Sequence, residues 1–288
     1  MKYPIALSIL LLLILLMTSA FLAPPAAAQN FSHPAFSTSP ASALSPTIPS
    51  SDQLLFDDEF DGDQLDLTKW YRCYNWADET TGCSDGPPYD LEWFWKVNVS
   101  VSGGMLNLTA RKHDRGHEYT SGIVTTGGSS TAPPSFTFQY GYMEMSAQFP
   151  PGKGMWPAFW LLPADGSWPP EIDAMEWLGN TPTIDYATIH WGIERHGHHP
   201  SSGTSYDTGE DLSAGFHTYG VDWQADYVTW YFDGQPIKKF TRVADIPHKP
   251  MYIIVNLAVG GWIGPPDKTN HFPAVMQVDY VRVWPQKP

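Results

Sequence analysis

Three carboxylates, Glu171, Asp173 and Glu176, stand close together in WPPEIDAMEWLGN (168–180), a stretch otherwise dominated by Trp, Ile, Met and Leu. Acids are costly to bury in such surroundings, so their presence points to chemistry. In a pleated strand, residues i and i+2 share a face, which aims Glu171 and Asp173 one way and Ile172 into the core. Simple alternation would send Glu176 to the opposite face, and one extra residue in a β-bulge brings it back. Ile172 with Ala174 or Met175 then faces the interior. Four ladder steps of about 3.3 Å separate the outer two backbones by roughly 13 Å. Two inward-leaning Glu side chains on a concave sheet close this to the ~5 Å of a retaining glycosidase. One Glu would be the ionised nucleophile, the other an acid that later serves as base, and the central Asp would tune both. Like charges this close do not all ionise, so one of the three carries a raised pKa. A solvated edge strand and a Ca²⁺ loop are the competing readings, and the Ile-Ala-Met surroundings fit both poorly.

The elements that must position this trio are strands. Apolar and polar residues alternate from Asp52 to Trp284, broken by Gly, Pro and Asp. Candidate strands are 97–101, 105–110, 140–149, 158–162, 172–177, 186–191, 217–223, 227–232, 251–257 and 277–284. Asp233-Gly234 marks a hairpin between 227–232 and 235–240. With 24 Gly, 27 Pro, 14% aromatic residues and no amphipathic helical run, the class is all-β, either two sheets face to face or a closed barrel.

The N-terminus reads as an export signal. Lys2 precedes an apolar run from Ile5 to Leu16, and Ala26-Ala27-Ala28 offers a cleavage site, so residues 1–28 are expected to be a removable signal peptide. Residues 29–52, rich in Ser and Pro, read as a linker. Residues 53–288 are expected to form a single β domain that carries the trio, and the product is expected to be secreted and monomeric. Export permits a disulfide, and Cys73 and Cys83, the only two cysteines, are expected to pair. Asn98-Val99-Ser100 and Asn107-Leu108-Thr109 have the N-glycosylation pattern. The charge of −14, from 30 acidic and 16 basic residues, argues against nucleic-acid and anionic-membrane partners and favours a neutral polymer.

Glu171-Ile172-Asp173-Ala174-Met175-Glu176 resembles the ExDxxE signature of glycoside hydrolase family 16, in the bulged form of laminarinase-like endo-β-1,3-glucanases. The unbulged ExDxE form, typical of lichenases, is absent. The resemblance extends through FQYGYME (138–144), GMWPAFWLLP (154–163), FHTY (216–219), WYFDG (230–234), NLAVGG (256–261) and VDYVRVW (278–284). It implies a β-jelly-roll sandwich of two antiparallel sheets, of the concanavalin A-like type, with a substrate cleft on the concave sheet. It also implies endo-hydrolysis with retention, in which Glu171 is nucleophile, Asp173 the assisting carboxylate and Glu176 the acid/base. Trp156, Trp160 and Trp168 would offer flat faces to sugar rings. Core packing is the alternative for each. His190, on the strand after the catalytic one, would reach the same cleft, with a structural histidine as the other reading. No cofactor is required for catalysis. A structural Ca²⁺ on the convex side would be held by Asp279 and by carbonyls near Glu59 and Gly103. The His-rich stretch 194–199 is expected to be a loop with only adventitious metal binding.

The substrate implied is a β-1,3-glucan. Mixed-linkage β-glucans and agar-type galactans are the alternatives within the family, because fold alone does not fix the sugar. A binding module without turnover is the alternative outside enzymology, and it would have no need of two mutually repelling Glu in its groove.

Overall fold

The alternation resolves into sixteen strands in a computed structural model that describes residues 54–77, 83–84, 90–193 and 198–288. The expected signal peptide (1–28) and linker (29–52) lie outside the described residues. In chain order the strands are β1 Phe56–Asp58, β2 Glu92–Phe94, β3 Val99–Val101, β4 Leu106–Asp114, β5 His117–Ser121, β6 Ile123–Thr125, β7 Gly141–Gln148 and β8 Met155–Pro163. They continue with β9 Glu171–Trp177, β10 Ile184–His190, β11 Ser201–Asp207, β12 His217–Trp223, β13 Val228–Phe232, β14 Gln235–Phe240, β15 Met251–Val259 and β16 Ala274–Trp284. Two sheets result. One has ten strands along the path β14-β13-β12-β7-β16-β4-β5-β2, with β1 on β16 and β3 on β4. The other has six, in the order β11-β10-β9-β8-β15-β6.

This is the all-β sandwich expected, with one correction: β2 and β5 pair in parallel, whereas the other ladders are antiparallel. Chain direction explains it. β2 runs on into β3 through a single 3-10 turn, and β3 and β5 both oppose β4, so β2 lies alongside β5 in the same direction. The expected strand at 97–101 is also shorter, because Lys96–Asn98 is that turn. The Asn98 side chain fixes it by donating to the Thr109 carbonyl (2.6 Å) and to Thr120 Oγ1 (3.0 Å). Asn98 is therefore buried and hydrogen-bonded, and its amide is not exposed as a glycan acceptor.

Between the sheets lies one large core. The six-stranded sheet contributes Phe159, Leu161, Ile172, Ala174, Met175, Trp177, Ala187, Ile189, Ile253, Val255 and Leu257 to it. Because strand side chains alternate, the intervening residues of β8, β9, β10 and β15 face outward together, and that outward face carries the acid trio. A smaller cluster packs Tyr74, Phe94, Ile123, Leu162, Tyr252 and Ile254 around the Cys73–Cys83 disulfide, which forms as expected. The disulfide staples the segment that carries Tyr74 and Trp76 to one side of that outward face. No helix among the described residues is long and apolar enough to cross a membrane.

Candidate active site

The bulge is present in β9. Toward β8, Met175 pairs with Phe159 and Asp173 with Trp160, so Ala174 has no counterpart of its own. Toward β10, Glu176 pairs with Tyr186 and Asp173 with Thr188, two steps against three. The extra residue turns Glu176 onto the face of Glu171 and Asp173, while Ile172, Ala174 and Met175 are all buried in the core. Across that core, Trp230 of β13 donates its indole N–H to the Asp173 carbonyl at 2.7 Å, which satisfies a main-chain acceptor beside the bulge.

Glu171, Asp173 and Glu176 line one open cleft of about 540 Å³. Each acid meets a ring nitrogen. Trp168 donates Nε1–H to Glu171 Oε2 at 2.7 Å, and Trp156 donates Nε1–H to Glu176 Oε1 at 2.9 Å. His190 Nε2 lies 3.1 Å from Asp173 Oδ2 and 3.9 Å from Glu171 Oε1. The register puts His190 opposite Glu171, which is why it reaches the cleft rather than the core. Trp156, Trp160 and Trp168 all line the cleft, and Trp160 also packs against the smaller cluster around the disulfide. Trp160 donates to Asn256 Oδ1 (2.8 Å) and stands edge-on to Tyr74.

Burial raises the pKa of every member of the trio. Glu171 is pushed well above the ordinary carboxylate range by burial and by the charge of Asp173, with His190 and the Trp168 N–H opposing. Asp173 is pushed well above it by burial and by Glu176. Glu176 is pushed up to about 7, chiefly by burial, against the Trp156 N–H that favours its anion. Burial and mutual repulsion together favour protonation of at least one of the three over three anions.

Several residues in or next to the cleft had no sequence signal of their own. Trp262, 63% exposed, stands edge-on to both Trp156 and Tyr186 beside Glu176. Trp76 stacks on Tyr74, with centroids 4.4 Å apart and planes 9° apart, and both line the cleft. His199 belongs to the His-rich stretch 194–199. Residues 194–197 lie outside the described residues, but His199 Nε2 is 2.7 Å from His190 Nδ1. The expected calcium residues belong to the other sheet. The pairing of Asp58 with Val281, and of Leu106 with both Val101 and Val278, gathers Glu59, Gly103 and Asp279 toward one region. The Glu59 carboxylate is bound by Arg282 (2.7 Å from Nε), and Asp279 accepts from Ser146 Oγ at 3.4 Å. Any ion there would have to rely on Asp279 and main-chain carbonyls.

The family profile of the glycosyl hydrolases family 16 matches residues 88–282, a span that holds the trio, His190, Trp156, Trp160 and Trp168. The chain belongs to glycosyl hydrolase family 16. This family 16 hydrolase is 38% identical over 250 residues to an endo-1,3-1,4-beta-glycanase, EglC, of Rhizobium meliloti (strain 1021), covering 80% of this chain and 51% of the relative. The chain thus spans about half the length of that relative. It is 32% identical to a beta-glucanase of Rhodothermus marinus, covering 81% of this chain and 85% of that one. Among solved structures, it is similar to the laminarinase catalytic domain from Thermotoga maritima MSB8, with 34% identity, a TM-score of 0.69, and coverage of 82% of this chain and 99% of that one.

Proposed function

We propose that this family 16 hydrolase is a secreted, endo-acting β-1,3-glucanase that cleaves laminarin-like polysaccharide by double displacement with retention of configuration. The observation that carries the reading is the placement of Glu171 and Glu176 in one cleft, each held by an indole N–H, with Asp173 between them. Glu171 attacks the anomeric carbon while Glu176 protonates the leaving oxygen, and Glu176 then takes a proton from the water that releases the glycosyl-enzyme. Asp173 and His190 adjust the charge between them. An open cleft, rather than a closed pocket, admits an internal stretch of a polymer, which supports endo action. The low content of basic residues favours a neutral glucan over sulfated or uronic chains. The relatives named as a beta-glucanase and a laminarinase support the same sugar class.

Secretion is supported by the apolar leader and by the Cys73–Cys83 disulfide, which is stable in oxidising compartments. We include in the proposal a monomeric state and a structural Ca²⁺ at Asp279, with no cofactor in catalysis. Chelation is then expected to lower the melting temperature while leaving laminarin turnover at low temperature intact. The functional test is a product panel on laminarin, lichenan, curdlan and agarose, run with the parent and with Glu171→Gln. Oligosaccharides from laminarin and curdlan with the parent alone are the expected outcome. Cleavage of agarose in preference to laminarin would overturn the substrate assignment, and equal release by the variant would overturn the hydrolytic role of Glu171.

A further inference from the structure

A hydrogen-bonded chain runs beside the acid trio, from Asp173 through His190 to His199. His190 lies between two partners, with Nε2 3.1 Å from Asp173 Oδ2 and Nδ1 2.7 Å from His199 Nε2. With both imidazoles neutral, each has one N–H and one bare nitrogen, and the chain then runs in one of two ways. In the first, His199 Nε2–H donates to His190 Nδ1, and His190 Nε2–H donates to the Asp173 carboxylate. In the second, a protonated Asp173 donates to His190 Nε2, and His190 Nδ1–H donates to a bare His199 Nε2. The second arrangement holds one proton more, and that proton sits on the central acid of the trio. Burial of Asp173 favours the second arrangement, so an N–H donated by His199 is needed to hold the first.

His199 has a second contact at the site. Its ring meets Trp168 nearly edge-on, with centroids 4.6 Å apart and planes at 72°, and Trp168 is the residue that donates to Glu171. One imidazole therefore touches the supports of two of the three acids, although it does not appear among the residues that line the cleft.

We propose that His199 is a positioning residue: by donating Nε2–H to His190 it holds His190 as the Nε2–H tautomer and Asp173 as the anion, while its ring braces Trp168 against Glu171. The kinetic part of this inference rests on the hydrolase reading above, and the structural part does not. The ring that orients His190 acts as do the outer partners of metal-bound histidines, which set tautomer and basicity without touching the reactant.

The test uses the full chain with ¹⁵N-labelled histidine. In the parent at neutral pH, the imidazole spectrum is expected to show His190 as the Nε2–H tautomer, and an Nδ1–H tautomer would overturn the proposal outright, whatever the activity. Two variants separate the donor from the ring. His199→Gln keeps an N–H donor, and His199→Phe keeps the packing against Trp168. The expected kinetics on laminarin are a kcat about tenfold lower for His199→Phe, with KM within about twofold of the parent, and at least half of the parental kcat for His199→Gln. The Nε2–H signal of His190 should be lost in the first variant and kept in the second. A fully active His199→Phe, or a folded His199→Gln as impaired as His199→Phe, would overturn it. If the parent itself left laminarin uncut, the substrate assignment would fail while the tautomer still judged His199.

Discussion

Strands β9 and β10 bury carboxyl groups on both of their faces, and the two faces treat them differently. On the cleft face, Glu171, Asp173 and Glu176 each lie beside a ring nitrogen, of Trp168, His190 and Trp156 respectively. On the core face, Asp185 is fully buried opposite Trp177, and among the described residues neither of its oxygens has a hydrogen-bond partner. The Tyr219 hydroxyl, within electrostatic reach of Asp185, has none either. Burial drives Asp185 well above the usual carboxylate range, as it does the trio. Burial alone therefore does not make a working acid. What distinguishes the cleft is a set of hydrogen bonds, from the Trp168 and Trp156 N–H groups to Glu171 and Glu176 and from Glu171 to Asp173, that pull the acids back toward ionisation, whereas among the described residues Asp185 has none.

The comparison breaks if the cleft acids prove dispensable. Glu171→Gln and Glu176→Gln are each expected to lower laminarin turnover by about a thousandfold or more, with the melting temperature little changed. Reducing-end release near the parental rate from either variant would erase the distinction between the faces. A smaller loss tests the indole donors themselves. Trp168→Phe removes the N–H to Glu171 but keeps a ring, and kcat/KM should fall about 10- to 100-fold, the range for losing one hydrogen bond to a charged group.

Trp156→Phe sharpens the comparison through pH. The Trp156 N–H stabilises the Glu176 anion, so it holds the Glu176 pKa down against burial. The general acid must be protonated, and kcat/KM of the parent should fall on the alkaline side with a midpoint of about 7. In Trp156→Phe this limb should move to higher pH, with less than about a tenfold change in rate on the acid side. A limb that stays in place, or moves down, would contradict the assignment of Glu176 as the acid.

The smallest effect belongs to the core face. Asp185 has a higher pKa folded than unfolded, so its contribution to stability is fully present below the unfolded value of about 4 and is lost as pH rises through the folded one. Asp185→Asn removes that loss. The melting temperature of the variant relative to the parent should therefore rise between pH 4 and pH 8, with laminarin turnover unchanged. A constant difference across that range would mean that Asp185 has a partner in solution that neutralises the cost of burying its charge.

Much of the site was legible in the sequence because acids in an apolar strand have few physical explanations. The spacing of Glu171, Asp173 and Glu176 demands the bulge, and the register supplies it at Ala174. Strands β12 and β14 agree with the sequence reading to the residue, since alternation and the Asp233-Gly234 turn bracket them. Strand β11 was not legible. Ser201–Asp207 is exposed along most of its length and is held by main-chain pairing to β10, so it has no apolar phase to read. The three-residue strands β1, β2 and β6 are too short to show a period. His199 and Trp230 act across space, one from a loop and one from the opposite sheet, and no local spacing connects either to the trio. Asp185 occupies a core phase of β10 that its residue type disguises.

The central claim is that the bulge makes Glu171 and Glu176 a nucleophile and acid/base pair, and the stereochemistry of the first product tests it most directly. Proton NMR of laminarin digestion, followed from mixing, should show the β-anomer of the new reducing end first, with the α-anomer appearing only by mutarotation. The α-anomer appearing first would contradict the account, because it requires a water between the two carboxyl groups in place of a covalent bond to Glu171.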